Sequence, residues 1–348
     1  MNRKLWISVL ISAALLWFSM RDVQPGELWG YIRSINPIYF IPYFVILVLE
    51  VVARSLRWWA ILRPAKRCTL RGLVVATLIG TMANNVLPAR AGEFVRAYAG
   101  ARIERLPFST ALATIVIDRV LDGLTITAIF ALALIFFPLP DAVKPPGFVA
   151  AGILAAAAYA VGLVFLIALL VRRESTLGVA AWILQHTPLL PARIVDKLMG
   201  ALRAFAQGLD VLRSPWLLTA CLGLSALIWI GYTLSILVLW PPFDIHLGLG
   251  EAFIVLLVLT LGLTLPSTPG FVGAIESAFV VGLGIFGVDG TKAVAFALVY
   301  HLSQYIPHTI VGLLLLPAAQ MSFREMAQVE SGEAPRSDHD GVWDGGVS

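Results

Sequence analysis

Residues 73–100 read LVVATLIGTMANNVLPARAGEFVRAYAG. The run opens apolar, breaks at Leu87-Pro88, and carries Arg90, Gly92, Glu93 and Arg96 before it turns apolar again. Proline removes a backbone donor and stops a helix. Each side of the break is shorter than the ~20 apolar residues a spanning helix needs. Broken backbone at membrane depth is tolerated only inside protein or beside a watery cavity. Residues 251–287, EAFIVLLVLTLGLTLPSTPGFVGAIESAFVVGLGIFG, repeat the pattern, with Pro266 and Gly270 in the places of Pro88 and Gly92. Both stretches are expected to be re-entrant helical hairpins.

The rest of the chain demands a membrane. Of 348 residues, 59% are apolar and 13% charged, against about a quarter charged in a soluble domain. Six segments are long and apolar enough to span: Leu5–Met20, Tyr39–Leu62, Ser109–Phe137, Phe148–Val171, Pro215–Trp240 and Thr291–Leu316. The first follows Arg3 and Lys4 and resembles a signal peptide, but no small-x-small cleavage site precedes Arg21, so it reads as a retained helix. The expected fold is therefore an all-α integral membrane protein of six spanning helices plus two re-entrant hairpins. Cys68 and Cys221 form neither a disulfide framework nor a metal motif.

Basic residues orient this chain. Arg3, Lys4, the group from Arg63 to Arg71, Arg102, Arg105 and six residues of the 172–214 connection all fall on one side. Arg21, Arg33, Lys144 and Lys292 fall on the other. The positive-inside rule makes the crowded side cytoplasmic, with both termini there, in a plasma membrane. The unit 39–137 then enters from outside and the unit 215–316 from inside, each in the order helix, hairpin, helix. This is an inverted-topology repeat, whose matching breaks point to a substrate site near the membrane centre. Between the repeats, Leu177, Ala181, Leu184, Ile194, Leu198, Leu202 and Phe205 recur at helical spacing and predict amphipathic cytoplasmic helices. The polytopic domain covers 1–320, and the acidic, Gly- and Ser-rich residues 321–348 read as a disordered cytoplasmic tail.

Ionisable residues inside the apolar stretches are costly and default to function. A half-helix starting at Pro88 presents free N–H groups to an anion, and Arg90 adds a fork suited to phosphate or carboxylate. Asn85 lies beside this break, and Glu93 and Arg96 are spaced to pair. Thr268 followed by Pro269 reads as an N-cap and first helical residue, with Ser267 a second hydroxyl. Glu276 is the lone acid downstream, placed to pair with Arg90 or Arg119 or to carry a proton. Asp118 and Asp122 share a helix face beside Arg119. Glu50, Arg54 and Arg57 form one stripe with an internal Glu–Arg pair, and Arg57 is near enough to the interface to snorkel. His301, Gln304, Tyr305 and His308 form a polar seam without the companions of a metal site. No catalytic motif, metal site or cofactor motif is recognisable, and the basic residues follow topology rather than nucleic acid.

The run Asn85-Val-Leu-Pro-Ala-Arg-Ala-Gly-Glu-Phe-Val-Arg96, then Asp118-Arg-Val-Leu-Asp-Gly123, then Leu265-Pro-Ser-Thr-Pro-Gly270 with Glu276, resembles the lysylphosphatidylglycerol synthase transmembrane region, or flippase-like domain, family. The resemblance covers roughly residues 1–320. It implies movement of anionic, aminoacylated or isoprenoid-linked lipids between leaflets. It marks Arg90, Glu93, Arg96, Asp118, Arg119, Asp122, Pro266, Pro269, Gly270 and Glu276 as positions that matter. No aminoacyl-transferase domain follows Ser322 in this sequence, so aminoacylation is not implied.

The function expected is that of a non-enzymatic lipid flippase, holding a phosphate between two half-helix N-termini with Arg90. Its partners would be membrane lipids. Alternatives are an accessory subunit of a lipid-modifying or glycosyltransferase system, a small-anion transporter, and a headgroup enzyme using His301 and His308.

Overall fold

The computed structural model describes residues 3–326, apart from 22, 88–90, 137–156, 158–160, 163, 166, 167, 170, 188–190, 209–213 and 264–267. Pro88, Arg90, Pro266, Ser267 and the segment 148–156 lie outside the described residues, as does the tail from 327.

The described chain is helical. Its main helices are α1 (Arg3–Met20), α2 (Pro25–Arg33), α3 (Phe40–Leu62), α4 (Leu70–Val86), α5 (Gly92–Glu104), α6 (Phe108–Phe136), α7 (Arg173–Gln185), α8 (Ala192–Gly208), α9 (Pro215–Val238), α10 (Leu249–Gly262), α11 (Ala274–Gly284) and α12 (Gly290–Leu315). Among the described residues, three stretches are long and apolar enough to cross a membrane: Pro37–Leu62, Pro215–Phe243 and Gly290–Ala319. Ile41, Val45, Val48 and Leu49 on α3 and Leu302, Ile306, Ile310 and Leu314 on α12 are exposed. In water such faces would be a liability, and in a bilayer they meet hydrocarbon. The protein is all-α and multi-pass.

Each broken stretch folds as two helices packed antiparallel. Gly72 faces Glu104 and Gly80 faces Gly92 and Arg96, so α4 and α5 run back to back. Gly282 faces Val255 and Gly262 faces Ala274 and Ala278, so α10 and α11 do the same. These four helices have 17, 13, 14 and 11 residues, or about 16–26 Å at 1.5 Å per residue. None matches the ~30 Å hydrocarbon core. The neighbours also correspond: α3 packs on α4 and α9 on α10, α5 on α6 and α11 on α12, while α3 and α9 pack on each other.

Local chemistry sets the ends. Thr69 caps α4, its hydroxyl accepting from Gly72 N at 3.1 Å, and Glu104 from the end of α5 accepts from Thr69 N at 2.9 Å. Leu87 is already extended (φ −90°, ψ 145°), as the residue before a proline must be. Arg105 closes α5 in the left-handed region. The second hairpin departs from the sequence reading. Its helix does not start at Pro269. Residues 269–271 make a 3-10 turn in which Gly270 (φ 72°) and Phe271 (φ 59°) are left-handed, then Gly273 (φ 83°) leads into α11. A left-handed residue cannot continue a helix, so the start moves to Ala274. Among the described residues, Thr268 makes no side-chain capping bond. Its N–H donates to Ser12 Oγ at 2.9 Å and its hydroxyl accepts from the same serine at 3.1 Å.

The connection between the halves docks on the bundle. Leu177 on α7 and Val195, Met199 and Ala206 on α8 are buried with Ala60, Ile61, Ile117, Leu121 and Cys221. Ile194 and Leu198, expected on the apolar face of a membrane-surface helix, are exposed, while the adjacent Val195 row faces the bundle. At the C-terminal side, Met321 and Met326 are buried in the core around α4 and α5, so packing continues past residue 320.

Candidate functional site

Seven charged residues from α3, α5 and α6 converge inside the bundle. Asp118 is fully buried. Its Oδ1 accepts from Arg57 Nε at 2.7 Å and its Oδ2 from Arg96 NH1 at 2.9 Å. Arg57 NH1 donates to Ser225 Oγ of α9 at 2.8 Å, and its NH2 lies 2.7 Å from Asp122 Oδ1 without a linear N–H···O bond. The snorkelling read from the sequence for Arg57 is therefore wrong. Its guanidinium is wholly buried, because three acceptors on two neighbouring helices offer more than the interface does.

Arg96 is nearly as enclosed. Its guanidinium lies 4.4 Å from the centre of the Trp58 ring, and Trp58 Nε1 in turn donates to Thr114 Oγ1 at 3.0 Å. Arg96 and Glu93 are spaced to pair, yet they meet only at 3.9 Å. Glu93 instead binds Arg119, which also donates to Asp122 Oδ2 at 3.1 Å. Arg119 keeps 43% of its side chain exposed, so it is the member of the network open to a ligand. Arg54 makes no direct hydrogen bond or ion pair among the described residues, and it sits in the field of Glu93, Asp122 and Asp118. Among the described residues of α3, α5 and α6, four arginines thus face three carboxylates. Arg96 Nε and NH2 and Glu93 Oε2 are buried without a hydrogen bond among the described residues. A cluster with one surplus cation and idle donors is chemically prepared for an anion.

Glu50 lies within the field of Arg54, yet no Glu50–Arg54 ion pair occurs among the described residues. Its stem packs where Gly231 of α9 leaves room for it. It lines a small cleft of about 90 Å³ between α3 and α9 whose other walls, among them Ile46, Leu49, Leu227 and Gly231, are apolar. Leu49 and Leu227 at its rim are exposed, so the cleft opens toward hydrocarbon.

Described residues flanking the two breaks come together. Tyr305 Oη donates to Asn85 O at 3.4 Å, and a Cβ on Gly270 would lie 2.6 Å from the Tyr305 ring and 3.3 Å from Asn85 O. Asn85 Nδ2 donates to Thr309 Oγ1 at 3.0 Å, so its side chain is engaged by α12. Asn84, not singled out by sequence, closes the first break by accepting from Gly92 N at 2.9 Å. At the second, Glu276 accepts from Gly273 N at 2.7 Å and meets His301 Nδ1 at 2.7 Å, while His301 Nε2 meets Gly270 O at 2.8 Å. Among the described residues, Glu276 pairs with His301 of the polar seam and not with Arg119, while Arg90, the other arginine expected for it, lies outside them. Helix α1 also reaches this break, through Ser12 and through Ser19 and Leu15 O, both bonded to Ser277 at 2.8 Å. Nothing in the local sequence announces that contact. Among the described residues no three His, Cys, Asp or Glu are grouped to hold a metal ion.

The chain is 25% identical to a UPF0104 membrane protein of Methanothermobacter thermautotrophicus, over 91% of this chain and 96% of that one. It is 23% identical to a UPF0104 membrane protein of Methanocaldococcus jannaschii, over 89% and 93%. It is also 25% identical to the glycosyltransferase AglD of Haloferax volcanii over 87% of this chain, but spans only 52% of that protein. Residues 5–312, which hold every charged group and both breaks described above, match the lysylphosphatidylglycerol synthase TM region, and the chain belongs to that family.

Proposed function

We propose that this protein moves anionic or isoprenoid-linked lipids between membrane leaflets without covalent chemistry. The observation that carries the reading is the surplus of arginine over carboxylate around Asp118, inside a bundle whose outer faces are apolar. Arg119, partly exposed, and Arg54, without a direct partner among the described residues, would contact a lipid phosphate. Arg90, two residues before α5, would join them. Arg57 and Arg96 would serve as positioning residues, because Asp118 already occupies both. The lipid tails would remain in the bilayer, and the apolar α3–α9 cleft gives them a lateral way in.

The hairpins α4–α5 and α10–α11 would be re-entrant and would enter from opposite faces, as two units of an inverted repeat with both termini cytoplasmic. Their lengths, and the corresponding neighbours of the two units, support this. Rocking of one unit against the other around the meeting breaks would expose the arginines alternately to each side. Ser267 and Thr268 would lie near the lipid as part of the second break, with Pro266, Pro269 and Gly270 shaping it.

The test is leaflet exchange of labelled lipids in liposomes carrying the purified protein. Exchange faster than in empty liposomes, and slowed at least tenfold by Arg119→Gln or Arg90→Gln, is the expected result. No acceleration with any anionic lipid would overturn the reading.

The likeness to a glycosyltransferase favours one second reading, in which this membrane domain presents a lipid-linked substrate to a glycosyltransferase partner. Lipid binding without exchange, together with co-purification of such an enzyme, would favour it.

A further inference from the structure

We infer that Glu276 and His301 form a single proton-binding site, and that its proton holds the second break closed. Hydrogen-bond bookkeeping carries this. His301 Nδ1 lies 2.7 Å from Glu276 Oε1, and His301 Nε2 lies 2.8 Å from Gly270 O. A carbonyl only accepts, and so does an ionised carboxylate. A neutral imidazole has one N–H. With neutral His301 and ionised Glu276, one of these two contacts would set lone pair against lone pair at hydrogen-bond distance. Both bonds exist only if the pair holds one further proton, as imidazolium with carboxylate or as imidazole with carboxylic acid. In either form the pair is neutral overall, which suits two side chains that are 9% and 3% exposed.

Few other charges compete for this role. Around the pair, α1 contributes the hydroxyls of Ser12 and Ser19, and α4 contributes Asn85. On α12 the ring of Tyr305 lies edge-on to His301, with centroids 5.9 Å apart. Tyr300 packs on Phe279 of α11, and His308 bonds its own helix at Gln304 O. Among the described residues no arginine, lysine or aspartate forms an ion pair with either member. Arg90 lies outside the described residues and is therefore varied in the test.

Loss of the proton leaves the pair with one negative charge and ends one of the two bonds. The proton goes to water, and no other bond changes. Gly270 then loses its anchor, or Glu276 its partner, while Glu276 also caps Gly273. Gly270 touches both Tyr305 and the carbonyl of Asn85, so release at the second break is felt at the first. This rests on the transport reading in one respect: the proton would be the co-substrate that times opening of the second break.

Two measurements on the full chain in liposomes separate the ideas. Nitrogen NMR of labelled histidine, assigned by His301→Gln, reads the site without transport. Wild type should show N–H at both His301 nitrogens, or one N–H with a protonated Glu276 seen by its infrared carbonyl band. Glu276→Gln, whose amide can donate to Nδ1 and accept from Gly273 N, should show at neutral pH a His301 with one N–H, at Nε2. A bare His301 nitrogen beside an ionised Glu276 at neutral pH overturns the proton site. Labelled-lipid exchange across a pH series then tests the coupling. The wild-type rate should change about tenfold per pH unit on one side of the transition, as one bound proton requires, and Glu276→Gln or Arg90→Gln,Glu276→Gln should abolish that slope. An unchanged slope in Glu276→Gln overturns the coupling, and no exchange by wild type at any pH overturns the transport reading alone.

Discussion

Asp118 divides its two carboxylate oxygens between two helices, holding Arg57 at 2.7 Å with one and Arg96 at 2.9 Å with the other. Neither guanidinium has water to fall back on. Removing one partner of a buried pair costs about 3–5 kcal/mol, because the remaining charge stays buried. Asp118→Asn should lose about that much in unfolding experiments in detergent. A loss under about 1 kcal/mol, the range of a surface pair, would mean that the network does not hold α3, α5 and α6 together.

Arg119 belongs to the same network and should behave in the opposite way. Its side chain is 43% exposed, so its pairing with Asp122 is worth about 1 kcal/mol or less. Arg119→Gln should unfold like wild type yet lose lipid exchange. Equal loss of stability in the Asp118 and Arg119 variants would remove the distinction between positioning and contacting arginines.

Gly92 starts α5 where the backbone of α4 is closest. A Cβ there would collide with Gly80 O and the Asn84 side chain. Overpacking of this kind costs about 1–3 kcal/mol. Gly92→Ala should therefore lower the thermal midpoint in detergent. Gly223→Ala in α9, where a Cβ meets nothing within 4 Å, should raise stability by up to about 1 kcal/mol from helix propensity. Equal effects at the two glycines would show that the hairpin has slack.

Gly270 adds backbone strain to crowding. Its φ of 72° costs an L-residue roughly 1–2 kcal/mol, and the Tyr305 ring stands in the way of a Cβ. Gly270→Ala should speed hydrogen exchange over 269–276 and spare the exchange of 73–83. Uniform loosening of both stretches would mean that the second break is not an independent unit.

Glu325 lies outside the spanning segments, and Ser322 N–H at 2.8 Å, helped by Arg102 at 3.0 Å, holds its carboxyl below the usual glutamate value. A lowered folded value means that this anchor is fully present above the ordinary value near 4.3 and is lost as pH falls through the lower folded one. The turn carrying buried Met326 should stay protected from hydrogen exchange at pH 5 and open in stronger acid. Glu325→Ala should open it at pH 7. A turn that opens between pH 5 and 7 in wild type would contradict this assignment.

What the sequence revealed was local. Leu87-Pro88 marks a helix stop in any context, and the apolar runs on either side are too short to hide what they are. The ends of the second break were not legible, since nothing in Pro269-Gly270-Phe271 says that a phenylalanine will take a left-handed conformation. Thr268 looked like a cap because its true partner, Ser12, is 256 residues away. Arg57 looked like an interfacial cation because Ser225 and Asp118 come from other helices. The missing information was always tertiary. Spacing within one helix tells which side chains share a face, as with Asp118 and Asp122, but Glu50 and Arg54, spaced to pair, form no ion pair among the described residues, because the partners that decide come from across the bundle.

The bond between Ser12 and Thr268 has a consequence for how the molecule is made. Ribosomes add ~5–20 residues per second, so Thr268 follows Ser12 by roughly 13–50 s. Helix α1 therefore waits for this docking surface while most of the helices described above are still being made. During that interval its two buried serines face lipid, or whatever insertion factor shields them. A tag or shortened start that disturbs α1 would leave early insertion intact and show its damage only when the last third of the chain arrives.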